Sequence, residues 1–142
     1  MTLATAGVDP APAEAGSWTL EDFAEIEVTL DGAPVTVALA DTPNLRRQGL
    51  QGVIDLGRAE GMLFSWGGTA VDSAFTMRNT LIDLDIAFFD REGRVVDLLR
   101  MTPCDAEPCP TYRASGPYAY ALEVPADEAL AIDHSAVLGR IP

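Results

Sequence analysis

The run AFTMRNTLIDLDIAFFD, Ala74 to Asp90, decides the fold. Phe75 and Met77 fall on one face of a first extended segment, and Leu84, Ile86 and Phe88 on one face of a second. That alternation is the period of a strand, and Asn79-Thr80 between the two segments suits a turn. The stretch predicts a hairpin. Residues directly opposite in an antiparallel pair point to the same side of the sheet. Burying both apolar sets together then requires paired positions whose numbers sum to an odd value. Arg78 opposite Asp85 satisfies that rule and places Thr76, Arg78, Asp85 and Ala87 on the face away from the core.

The flanking segments continue the pattern. Upstream, Ile26, Val28 and Leu30 alternate with polar neighbours, Asp31-Gly32 marks a tight turn, and Val35, Val37 and Leu39 resume the period of two. In ADTPNLRRQGLQG, Asp41 or Thr42 can cap a helix with Pro43 at its first position, and Gly49 and Gly52 keep it short. GMLFSW reads as a buried strand closed by Gly67-Gly68. Downstream, DREG turns the chain at Gly93, RVVDLLRM and YAYALEV are strands, and AVLGRI can close the sheet. In PADEALAI, Pro125 stands at an expected helix start, with Asp127 and Glu128 in the first turn, where the helix dipole favours acids. The expected fold is mainly β, a β-rich α+β domain: a small antiparallel barrel-like sheet with two short helices. Residues 1–17 read as an Ala/Pro-rich flexible tail, and 18–142 as a single domain.

Bulk properties set limits. The 142 residues, 48% of them hydrophobic, suffice for one core. No window of about 18 uninterrupted apolar residues occurs, so no transmembrane segment is expected. Twenty-two acids stand against nine bases, all of them Arg, for a net charge of −13. Such a surface repels phosphate backbones and argues against nucleic acid as a partner. The start lacks the basic and apolar regions of a secretory signal, which points to the cytoplasm for the sequence as written. A signal upstream of it would reverse that expectation to export.

Cys104 and Cys109, in TPCDAEPCPTY, are five residues apart in a proline-stiffened loop. Oxidised, they would close a small ring; reduced, they would be inert thiols. Their spacing is not CxxC, and no metal site or cofactor is expected. His134 is the only histidine, in a loop-like segment without a second imidazole to share a metal. Asp133-His134-Ser135 is no triad, because triad members meet through the fold rather than along the chain. Trp18 and Trp66 read as core or rim residues.

Five ordered blocks, ADTPNLRRQGLQG, EGMLF, FTMRNTLIDLDIAFFDREGRVV, MTPCDAEPCPTY and YALEVP, resemble the segments of the prokaryotic family named domain of unknown function 192. The resemblance runs from about Glu25 to Pro142 and is most specific from Phe75 to Val96. It implies a compact, mostly β domain with short helices, and it implies no activity. Many members of that family look exported. This chain departs from the pattern at Thr76, where Trp is usual, at Arg78, where Lys is usual, at Asp83 for Pro and at Gln51 for Met.

Two functional readings follow. An Arg fork, an amide and hydroxyls gathered at Thr76, Arg78, Asn79, Thr80 and Asp85 can orient a small polar or anionic ligand, which makes a non-catalytic binding or accessory domain. Alternatively Glu60 and Asp85, with Asp83 beside them, could supply the two carboxylates of a glycosidase-like hydrolase. A third reading, a protein-interaction domain, leaves these residues as a solvated surface with a cross-strand ion pair.

Overall fold

The computed structural model describes residues 20–127 and 130–142. The expected tail at 1–17, Trp18 and Glu128 lie outside them.

The first hairpin joins β1 (Ala24–Leu30) to β2 (Ala33–Ala40) in the register Ile26↔Val37 and Val28↔Val35. Asp31 and Gly32 both take positive φ, 53° and 84°, as a two-residue hairpin turn requires. Thr42 caps α1 (Pro43–Gln48): its hydroxyl accepts from the Leu45 N–H, and Pro43 spends no amide in the first turn. The chain between β2 and β3 (Gly61–Ser65) is long enough to cross over, so β3 returns parallel to β2, Val37 beside Gly61. β5 (Leu84–Phe89) and β6 (Val95–Met101) form a second hairpin. Gly93 turns it at φ 86°, and Asp90 Oδ1 accepts from the Glu92 and Arg94 amides.

The strand order of the main sheet is β6-β5-β8-β3-β2-β1-β9, with β8 at Tyr120–Pro125 and β9 at Leu138–Gly139. Both of its faces are buried. Val28, Val37, Leu63, Ala87, Phe89 and Leu122 fill one side; Met62, Phe64, Leu84, Ile86, Phe88 and Ala121 fill the other, under α1 and the loops that follow it.

Three expectations need correction. The sheet is mixed, and it is not a closed barrel. Among the described residues its ends meet at the Arg94–Val137 bridge, where the Leu138 N–H donates to the Gly93 carbonyl at 2.8 Å. One helix, not two, is present among the described residues. Pro125 ends β8 opposite Leu84, and the Ala126 N–H is taken by the Asp83 carbonyl at 3.0 Å, which turns the chain at the expected helix start. Part of that expected helix, 128–129, lies outside the described residues.

The third correction concerns the run from Ala74 to Asp90. β4 (Phe75–Thr76) does not pair with β5; it pairs with β7 (Thr111–Tyr112) in a separate two-stranded sheet. The reason lies in the four residues after β4. Met77 dives into the core at 1% exposure, Asn79 takes φ 58°, and the Thr80 N–H closes onto the Met77 carbonyl at 3.1 Å. The Asn79 carbonyl then accepts from Gly52, tying this turn to the segment after α1. β5 is free to pair with β6 on one side and β8 on the other. The apolar sets from both halves of the run do share one core, Phe75 against Phe88 with ring centroids 5.8 Å apart, but they reach it by packing rather than by pairing.

Candidate functional site

A concave pocket of about 460 Å³ lies between α1, the start of the loop after it, the end of β3 and the segment 73–80. That volume is within the range of small-molecule sites. Its wall is aromatic. Phe64 and Phe75 meet edge to face at 5.0 Å, and Trp66 meets Phe75 at 6.5 Å. Its mouth is cationic. Arg46 stacks over the Trp66 ring at 5.2 Å and donates to the Ser65 carbonyl at 2.8 Å. Arg47 hydrogen-bonds Asn44, and Arg78 enters from the other side. Arg46 and Arg47 occupy the last turn of α1, where the dipole favours cations. Three of the chain's nine bases thus converge on one cavity in a protein of net charge −13.

Of the residues singled out from sequence, Thr76, Arg78 and Thr80 line this pocket. Asn79 stands beside it; its side-chain amide donates to Gln51 Oε1 at 3.2 Å, and Gln51 is itself a lining residue. Asp85 is elsewhere. It pairs with Arg100 at 2.5 Å, its cross-strand neighbour on β6, and it sits on the β5 face opposite to Ile86 and Phe88. Arg78 pairs instead with Glu107, through Nε at 2.5 Å and Nη2 at 3.1 Å. The expected Arg78–Asp85 pair does not form, because its hairpin does not. The guanidinium of Arg78 holds the Glu107 carboxyl below the usual carboxylate range.

The paired acids of the hydrolase reading are not brought together either. Glu60 accepts from the Thr36 backbone N–H at 3.1 Å and lines a separate hollow with Asp83 and Asp127, whereas Asp85 borders a third. Cys104 and Cys109 form a disulfide whose loop carries Glu107, and the backbone of Cys104 bridges that of Arg78. His134 is exposed in a turn. Among the described residues no cluster of three or more His, Cys, Asp or Glu is placed to hold a metal ion.

Sequence reasoning missed Arg46 and Arg47, read only as part of a short helix, and it missed Glu123. Glu123 lies in the middle of β8, flanked by Met62 on β3 and Ile86 on β5, is 4% exposed, and forms part of the pocket floor. Among the described residues its carboxyl has neither a hydrogen-bond partner nor an ion-pair partner. Burial alone pushes its pKa up to about 8, so at neutral pH it holds its proton. The signal was present in YALEVP: an acid at the centre of a strand whose neighbours on both parities are apolar has no solvated face to occupy.

No helix of the described residues is long and apolar enough to cross a membrane. No curated protein matches the chain. Two solved structures are similar to it. One is from Sinorhizobium meliloti 1021, described as a proposed transcription regulator: TM-score 0.70, 28% identity, covering 82% of this chain and 93% of that one. The other is a protein of unknown function from Novosphingobium aromaticivorans DSM 12444: TM-score 0.70, 27% identity, covering 95% of this chain and 92% of that one. The family pattern described as Uncharacterized ACR matches residues 26–135, which span most of the domain. The chain belongs to this uncharacterised family, DUF192.

Proposed function

We propose that this domain is a non-catalytic binding module whose ligand is a small anion held in the pocket between α1 and the segment 73–80. The observation that carries the reading is the convergence of Arg46, Arg47 and Arg78 on one aromatic-walled cavity of an otherwise acidic protein. A surface so acidic turns anions away almost everywhere, and a local reversal of sign is what an anion site needs. Thr76 and Thr80 add hydroxyls to the wall, and Asn79 supports Gln51 there.

A glycosidase-like reading is less well supported, since it needs two carboxyl groups facing one site and Glu123 is the single one among the lining residues. The description of one structural neighbour as a transcription regulator is not carried over as DNA binding, because the chain lacks the basic footprint that duplex phosphates require.

The test is a thermal-shift screen of organic acids, inorganic phosphate and neutral sugars, repeated on Arg46→Ala and Arg78→Ala. Ligands that bind the native state raise the melting temperature by mass action. Anions should stabilise the wild type, and both variants should blunt the shift. If only sugars stabilise, or if the variants respond like wild type, the anion pocket is wrong.

A further inference from the structure

The floor of the pocket holds a group that the anion reading leaves unused. Glu123 occupies a central strand, with apolar neighbours on both sides and no partner of its own among the described residues. A buried polar group without a partner is costly, and an apolar side chain would fill the same place without that cost. Groups of this kind in a cavity mark sites where a ligand completes the bonding.

We infer that protonated Glu123 is the hydrogen-bond donor for the inner end of the ligand, which makes the ligand class a short organic acid bearing an oxygen acceptor away from its carboxylate. The inference rests on the anion-pocket reading and sharpens it. The arginines at the mouth take the carboxylate, and the aromatic wall of Phe64, Trp66 and Phe75 takes the carbon chain. The neutral carboxyl has one O–H to give, and a ketone, a hydroxyl or a neutral acid can accept it.

The charges around Glu123 are consistent with its neutrality. From α1, Arg46 and Arg47 face the pocket, and from the segment after β4, Arg78 does. None of them forms an ion pair with Glu123, and Arg78 is engaged by Glu107. β3 presents Met62 and Phe64, and β5 presents Leu84, Ile86 and Phe88, so neither neighbouring strand turns a charge toward it. Asp85 lies on the other face of β5, while Asp83 and Glu60 border a separate hollow.

The experiment compares pentanoate, 2-oxopentanoate, 4-oxopentanoate and 5-aminopentanoate by calorimetry at about pH 6 and about pH 10, either side of the Glu123 range. The carboxylates and guanidinium groups keep their charges throughout. One made hydrogen bond to a buried donor is worth roughly ten-fold, so 4-oxopentanoate, whose ketone stands away from the carboxylate, should bind wild type about ten-fold tighter than pentanoate at the lower pH. That ratio should fall toward one at the higher pH. Glu123→Leu should abolish it at both, and Glu123→Gln, whose amide still donates, should keep it at both. Equal binding of the oxo acids and pentanoate at the lower pH, or a gain confined to 2-oxopentanoate, overturns the inference and leaves the anion pocket standing. So does a ratio that survives at the higher pH. A preference for the amino acid also overturns it, since Glu123 would then meet an ammonium as a carboxylate. If no acid binds at all, the anion pocket falls and this inference with it. Should Glu123→Leu fail to fold, the wild-type ratio at the two pH values still decides.

Discussion

Arg78 grips Glu107 with two nitrogens, at 2.5 and 3.1 Å, and so joins the rim of the pocket to the disulfide loop. Both side chains are more than half exposed, and an exposed pair of this kind contributes little to folding. Its consequence is for binding. As long as Glu107 holds Arg78, part of that guanidinium's charge is spent. Glu107→Gln should leave the melting temperature nearly unchanged and raise anion affinity several-fold, measured by titration with a simple carboxylate. An unchanged affinity would place Arg78 outside the anion contact.

Glu123 makes stability depend on pH. Its carboxyl moves from an ordinary value of 4.5 to about 8 in the folded chain. Between those values the folded protein keeps a proton that the unfolded chain has released, so folding is penalised as pH rises, by about 1.4 kcal/mol per pH unit at the steepest. The contribution is present in full below 4.5 and is lost by the time pH has passed through 8. Glu123→Gln cannot release a proton. Urea denaturation from about pH 5 to about pH 9 should show wild type losing ground to the variant across this window and running parallel to it above. Parallel curves throughout would mean that Glu123 is ionised in the native state.

Arg78 and Glu123 mark what the sequence made legible. Local turns could be read directly: Asp31-Gly32 sits between strands of opposite direction and matching parity, and DREG does the same for β5 and β6. Long-range partners could not. Parity says which faces Phe75 and Leu84 present, and it says nothing about which strand lies alongside; β5 finds β8 from more than thirty residues away, and β4 finds β7. Thr76, Arg78 and Thr80 line the pocket although the hairpin register that puts Thr76 and Arg78 on one face with Asp85 does not form. Glu123 was passed over because an acid in an alternating strand normally faces water. Here both faces are covered, which the apolar neighbours on both parities of YALEVP signalled and the sheet order shows.

The disulfide predicts a second dependence. Cys104 and Cys109 close a ring of six residues, and loop-closure entropy makes such a ring worth about 2 kcal/mol. The Cys104 backbone also bridges that of Arg78, so opening the ring loosens the segment that lines the pocket. A thiol reductant should lower the stability of wild type by about that amount and leave the double variant Cys104→Ser/Cys109→Ser unaffected. Hydrogen exchange should rise at 76–80 and 103–110 and stay unchanged in β1 and β2. Exchange that rises evenly over the sheet would place the ring in the global folding unit rather than at the site.

Gly61 fixes how closely β3 approaches the strand that carries Glu123. A Cβ there would lie 2.5 Å from the Glu123 carbonyl oxygen and 2.9 Å from Val124 Cγ1, one a backbone atom and the other buried, so neither can yield cheaply. Gly67 offers a control. It has φ 69° with open space around it, and alanine there meets only the backbone penalty of the left-handed region, about 1–2 kcal/mol. Gly61→Ala instead forces two central strands apart, and overpacking against a backbone atom costs about 3 kcal/mol, the upper end of the usual range. Denaturation of the two variants side by side should rank Gly61→Ala well below Gly67→Ala. Where Gly61→Ala still folds, the shift of β8 should weaken oxo-acid binding more than pentanoate binding, since it moves the floor and leaves the arginine mouth in place. Equal stability of the two variants would show that β3 and β8 are further apart than 2.5 Å implies.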